Sequence, residues 1–139
     1  MGITMVKGVI DTNVLVSALR SRNGASNEVV RRAFHGDFEA SLSLPLYLEY
    51  LDVLSRPGMV SLRPDEATRF CQDIAAVSTH CPIHFLWRPF LPDPKDDLLL
   101  ELAVASGSAY VVTHNIGHLR LAAAFNVKGI RPAEFLSLL

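Results

Sequence analysis

Long apolar runs are missing from this chain. No stretch reaches the roughly 18 residues that a membrane-spanning helix needs; the richest, residues 98–112, is interrupted by Glu101, Ser106, Gly107 and Ser108. The first residues do not follow the basic, then apolar, then small-residue order of a secretory leader, so the expected location is the cytoplasm. Cysteine is scarce, with only Cys71 and Cys81. Two thiols exclude a disulfide scaffold, and their spacing with His80 and His84 fits no zinc knuckle or finger, so both are expected in the core. Charge is sparse as well. Charged residues make up 19% and the net charge is −1, which excludes a strongly basic nucleic-acid coat but leaves room for local fields. Arg20, Arg22, Arg31 and Arg32 lie early, while Asp93, Asp96 and Asp97 cluster late. No internal repeat or low-complexity segment is present.

Apolar residues are plentiful instead. They form 50% of the 139 residues, and the mean hydropathy is +0.27. That length suits one domain over residues 1–139 with one sizeable core. The apolar excess over what a small core hides points to a homodimer or a bound partner.

The apolar pattern alternates between two periods. Val9 and Ile10 are β-branched, as a buried strand prefers, whereas Val14, Leu15, Ala18 and Leu19 recur at helical spacing. A second helix, capped by Ser26 or Asn27, is expected to run to about Phe34, followed by a strand over residues 38–42. Ser43 and Pro45 open a third helix, which Arg56-Pro57-Gly58 stops. Pro64 opens a fourth, with Ala67, Phe70, Cys71, Ile74 and Val77 on one face. Pro82 makes residues 81–87 an edge or irregular strand. After the break at Leu91-Pro92-Asp93-Pro94 comes a buried helix ended by Gly107. A strand over 109–112, a helix over 119–125, a strand over 127–130 and a terminal helix from Pro132 complete the chain. Alternation of this kind predicts an α/β fold with a mainly parallel central sheet of about five strands and helices on both faces.

In such folds the ligand crevice lies at the carboxyl ends of the strands. Asp11-Thr12-Asn13 falls there, where the period changes from strand to helix. Thr12 or Asn13 could serve only to cap the helix, so the later acids carry the decision. Asp96 and Asp97 follow a strand, as does Asn115, and Glu49 lies on the helix after the second strand. Clustered carboxylates repel one another unless a cation sits among them, and oxygen-only ligands select hard ions such as Mg²⁺ or Mn²⁺. Asp93 precedes Pro94 and reads as a cap. Tyr47, Tyr50 and Trp87 read as packing residues rather than base-stacking ones.

These motifs together resemble the PIN-domain nucleases: Asp11-Thr12-Asn13-Val14-Leu15, then Glu49-Tyr50-Leu51-Asp52-Val53-Leu54-Ser55-Arg56-Pro57, then Asp93-Pro94-Lys95-Asp96-Asp97, then Tyr110-Val111-Val112-Thr113. The resemblance covers nearly the whole chain and is closest to the VapC-type toxins of toxin–antitoxin pairs. It implies a metal-dependent endoribonuclease, with Asp11, Glu49 and Asp96 as catalytic, metal-holding acids and Asp97 as the alternative ligand to Asp96. It also implies Mg²⁺ or Mn²⁺ as cofactor, an RNA substrate, a small antitoxin as partner and a homodimer. Thr12, Asn13, Thr113 and Asn115 would position water or phosphate, and Arg20, Arg22 and Arg56 would attract the RNA backbone. The chain departs from the family at one place. The family often carries Asp two residues after the Thr that ends the fourth strand, and Asn115 stands there, with His114 and His118 as possible substitutes. The alternative is a catalytically silent PIN domain that binds RNA or protein. A haloacid-dehalogenase-type phosphatase would need an acid where Asn13 stands.

Overall fold

The computed structural model describes residues 5–83 and 91–139. Five parallel strands form one sheet in the order β3-β2-β1-β4-β5: β1 (Lys7–Ile10), β2 (Glu39–Leu42), β3 (Thr79–His80), β4 (Tyr110–Val112) and β5 (Lys128–Ile130). Six α-helices are described: α1 (Thr12–Arg20), α2 (Ala25–Phe34), α3 (Leu44–Leu54), α4 (Pro64–Val77), α5 (Pro94–Ser106) and α6 (Pro132–Leu136), with a 3-10 helix at Ile116–Phe125. The α/β architecture predicted from the alternation of periods is the one observed.

The strand order creates a switch point. From β1 the chain moves outward through β2 to β3, then returns to the other side of β1 with β4 and β5. Connections therefore leave the carboxyl ends of β1 and β4 in opposite directions and open a crevice between them. Register holds the two ends level, because Ile10 pairs with Val112 and the Asp11 N–H donates to the Val112 carbonyl at 2.9 Å.

Burial explains the elements. Val9, Ile10, Val111 and Val112 are almost wholly enclosed, as β-branched residues of a covered parallel sheet should be. α5 lies against β1, β2 and β4 and buries Leu99, Leu100, Leu102 and Ala103. It ends at Gly107, whose φ of 72° favours glycine. Gly8 permits close packing of α6, since a Cβ there would stand 3.1 Å from the Phe135 ring.

Several local expectations need correction. Gly24, not Ser26 or Asn27, holds the N-cap position of α2. Ser26 and Asn27 lie inside its first turn, where the Asn27 side-chain amide donates to the Ala18 carbonyl at 2.8 Å and ties α2 to α1. The edge strand lies at Thr79–His80, before Pro82 can interrupt it, and the Cys81 N–H still bonds the Leu42 carbonyl at 2.8 Å. Residues 81–83 of that expected strand are irregular, and the rest of it, with His84 and Trp87, lies outside the described residues. The segment after Thr113, expected as a helix over 119–125, is a 3-10 helix that starts earlier, at Ile116, and buries Leu119 and Ala122. Val77 is 41% exposed and does not join the core face of α4. Cys71 is buried and Cys81 half-buried, both unpaired, and burial pushes the Cys71 thiol up to about 11.

Candidate active site

Asp11 occupies the N-cap position of α1 without a regular side-chain capping hydrogen bond, although the nearby Thr12 and Asn13 backbone N–H groups favour its charged form. Its Oδ2 accepts instead from the Thr113 hydroxyl at 2.7 Å, which joins the ends of β1 and β4. Thr113 is fully buried and acts as a hub. Its oxygen also accepts from the Asn13 amide at 3.4 Å and from the Asn115 N–H at 3.0 Å. The Thr12 hydroxyl donates to Glu49 Oε2 at 2.6 Å, across from α1 to α3. The capping role open to Thr12 or Asn13 is thus not the one they take. All three side chains of the Asp-Thr-Asn turn reach across the crevice.

Glu49 is held beside Asp11 by its neighbour. The buried Tyr50 phenol donates to the Ile10 carbonyl, fastening α3 to the end of β1. Burial, followed by the charges of Asp11, Glu49 and Cys71, raises the Tyr50 pKa well above its ordinary value, so the phenol keeps its donor proton. Packing was the role expected for Tyr50; its hydrogen bond adds the placement of Glu49.

The third acid arrives on the first turn of α5. Asp93 caps that helix through the Lys95 N–H at 3.0 Å, as its position before Pro94 suggests. Asp96 and Asp97 are both buried, at 7% and 6% exposure, but they point to different partners. Asp97 Oδ1 accepts from the Leu91 N–H at 2.9 Å. Asp96 faces a pocket of about 190 Å³ that Asp11, Thr12, Asn13, Glu49, Asp93, Asn115 and His118 also line, so Asp93 joins the acid cluster as well as capping α5. Asp97 is not among the lining residues. Among the described residues Asp96 Oδ2 has no hydrogen-bond partner; His118 Nδ1 lies 3.5 Å away.

The acids are electrostatically uncomfortable there. Burial raises the Asp11 carboxyl, opposed by the Thr113 hydrogen bond and then reinforced by the Glu49 charge, with the Asn13 and Thr12 backbone pulling it down again. Burial likewise lifts Asp96 to about 6, with Asp93, Asp11 and Asp97 adding to the rise and His118 opposing it. A buried carboxylate oxygen without a donor, among hard oxygen groups, has the chemistry a divalent cation satisfies. Among the described residues, however, no three His, Cys, Asp or Glu side chains form a ready metal cluster.

The remaining expected residues divide. Asn115 lines the pocket. His114 does not, because its Nε2 lies 3.0 Å from the Ser26 hydroxyl. Arg20 lines a hollow of about 420 Å³ that shares Thr12, Asn13 and Val53 with the acid pocket, and its Nε donates to the Met59 carbonyl at 2.9 Å. Arg56 is paired with Asp52 at 2.7 Å, and Arg22 is exposed in the α1–α2 turn. Neither lines either hollow. Lys95 lines the acid pocket and was missed; its place inside Asp93-Pro94-Lys95-Asp96-Asp97 was the available signal, since the first turn of a helix points neighbouring residues to one end.

Comparison with known proteins gives the family of the chain. Residues 7–117 match the family model of the PIN domain. No curated protein matches the sequence.

Proposed function

Because the chain belongs to the PIN-domain family, whose members are characteristically metal-dependent nucleases, we propose that it is a Mg²⁺- or Mn²⁺-dependent endoribonuclease hydrolysing RNA phosphodiester bonds. The observation that carries this reading is the buried, donor-less Asp96 Oδ2 facing a pocket shared with Asp11 and Glu49. Asp11, Glu49 and Asp96 would hold the cation. When bound, it supplies Lewis acidity toward the phosphate and acidifies nearby water.

The chain's own groups do the positioning. Thr113 fixes the Asp11 carboxylate and Thr12 fixes that of Glu49, so neither acid has to be ordered when substrate arrives. Asn13 and Asn115 stand at the pocket rim with amide groups that can orient water or a phosphate oxygen. Lys95 brings a positive charge to the same pocket, and Arg20 offers one along the adjoining hollow. Both suit a phosphate chain passing from one hollow to the other. Arg22 and Arg56 stand outside this path, and Arg56 is occupied by Asp52.

The likeness to VapC-type toxins adds a finer reading: a toxin restrained by a small antitoxin, acting as a homodimer in the cytoplasm, with residues 1–139 as one nuclease unit. Leu44 and Leu48, 69% and 53% exposed on one side of α3, supply apolar surface that a partner would cover. A short open reading frame beside the gene, encoding a protein that co-purifies and blocks cleavage, is the expected finding. No such inhibitor would remove the toxin assignment and leave the nuclease.

A second reading is a catalytically silent PIN domain that binds RNA or protein. Asn115 in place of an acid, and the lack of a ready metal cluster among the described residues, favour it. Incubation of the purified protein with a mixed RNA pool, with Mn²⁺ and with chelator, decides between them. Cleavage only with Mn²⁺, lost in Asp11→Asn and Glu49→Gln, supports the nuclease; binding without cleavage in either condition supports the silent domain.

A further inference from the structure

Asn115 stands where PIN domains often carry an acid, and the chain places a nitrogen donor beside it, in a pocket that Asp11, Glu49, Asp93 and Asp96 line. Asn115 opens the 3-10 helix, and its carbonyl accepts from the His118 N–H at 3.1 Å. That single tight turn brings the His118 ring back over the pocket, with Nδ1 3.5 Å from Asp96 Oδ2, the buried oxygen that has no hydrogen-bond partner among the described residues. His118 lines the pocket with Asp11, Glu49 and Asp96. Its side chain is 57% exposed, so the ring is free to turn toward an ion without disturbing the core. His114, the other histidine of the segment, is engaged by Ser26 instead.

We propose that His118 supplies a nitrogen ligand beside Asp96, in place of the acid missing at position 115, and tilts the cation site from Mg²⁺ toward Mn²⁺ and the later first-row ions. The inference rests on the reading that Asp11, Glu49 and Asp96 hold a cation. Its physical basis is ligand softness. Carboxylate oxygens suit Mg²⁺, which is smaller and gives up water reluctantly, whereas an imidazole strengthens binding of transition ions. An imidazole nitrogen also adds a ligand without adding a further negative charge to a pocket already lined by Asp11, Glu49, Asp93 and Asp96, whose charges repel one another.

The test uses Mn²⁺ and Mg²⁺ themselves with the full chain. Titration calorimetry gives both affinities, and the spin-echo spectrum of bound Mn²⁺ reports directly whether a nitrogen is coordinated. For His118→Ala the expected loss is about tenfold or more in Mn²⁺ affinity, against less than about threefold for Mg²⁺, on the scale typical of ligand-sphere changes. The nitrogen signal should vanish with it. His118→Asp should bind both ions through oxygen alone, with a lower Mn²⁺-to-Mg²⁺ preference and no nitrogen signal, while His114→Ala should keep the wild-type spectrum. Bound Mn²⁺ without a nitrogen signal in the wild type, or an unchanged Mn²⁺-to-Mg²⁺ ratio in His118→Ala, overturns the role of His118 and makes its contact with Asp96 a surface ion pair only. A wild type that binds neither ion overturns the cation site as well. Thermal melts of each variant in chelator check that the fold persists.

Discussion

Replacing Asp96 by Asn separates what the site does for stability from what it does for ions. In the folded chain burial and the neighbouring acids lift the Asp96 carboxyl from 3.8 to about 6. A folded-state pKa above the unfolded one means that between these values the folded chain binds more protons. Stability then falls as pH rises through that window, and the penalty is complete above pH 6. A shift of about 2 units corresponds to at most about 3 kcal/mol. The amide inherits the partner-less position of Oδ2, and an unsatisfied buried polar atom costs on the order of 1 kcal/mol or more. The net gain for Asp96→Asn, measured in chelator at pH 7.5, should therefore be about 1–2 kcal/mol, or a rise in Tm of about 3–8 °C for a chain of this size. Near pH 4 the wild-type carboxyl is largely protonated, so the charge penalty is gone, only the amide's cost remains, and the variant should melt slightly below the wild type. Mn²⁺ should reverse the order at pH 7.5, stabilising the wild type far more than the variant. Scanning calorimetry across pH 4–8, with chelator and with Mn²⁺, reads all of this. An Asp96→Asn variant that melts at or below the wild type in chelator at pH 7.5, with the same pH slope, would refute the claim that Asp96 carries a frustrated charge.

Other outcomes follow from the same geometry. Asn115→Asp adds a carboxylate to the pocket that Asn115 lines, so Mn²⁺ affinity should rise by titration calorimetry while the ion-free Tm falls; no change in either places residue 115 outside the ion's reach. Thr113→Val removes the donor to Asp11 and the acceptor for Asn13 and Asn115 in a fully buried place. It should cost about 2–3 kcal/mol in urea unfolding, and a loss under about 0.5 kcal/mol would mean that the hub is not structural. Tyr50→Phe should keep the fold but loosen Glu49, lowering Mn²⁺-dependent RNA cleavage more than it lowers Tm. Equal cleavage by the two forms would count against Tyr50 as a positioning residue. Light scattering at tens of micromolar should give a dimer mass, reduced by Leu44→Glu with Leu48→Glu; a wild-type monomer removes the dimer.

Hydrophobic period alone carried the fold. β-branched pairs at Val9-Ile10 and Val111-Val112, with helical spacing between them, dictate a covered parallel sheet wherever the partners lie in the chain, because strands enclosed on both faces cannot be built otherwise. Helix stops at Gly107 and starts at Pro45, Pro64 and Pro94 are local chemistry and were legible for the same reason. So was the place of Asp11 at the carboxyl end of the first strand, whereas Glu49 and Asp96 stood out through the resemblance to PIN domains, since helical phase alone left Glu49 an ordinary exposed residue and Asp96 a first-turn acid. The choice between Asp96 and Asp97 was not legible. Adjacent residues on a helix differ by about 100° in direction, and only the packing of α5 against β1 and β4 decides that one acid faces the pocket while its neighbour holds the Leu91 N–H. Tertiary structure likewise decided that the Asp-Thr-Asn turn reaches across the crevice instead of capping its helix. It also separated His118 from His114. A sequence shows both four residues apart with equal claims; the turn of the 3-10 helix and the hydroxyl of Ser26, 88 positions away, send one to the pocket and the other away from it.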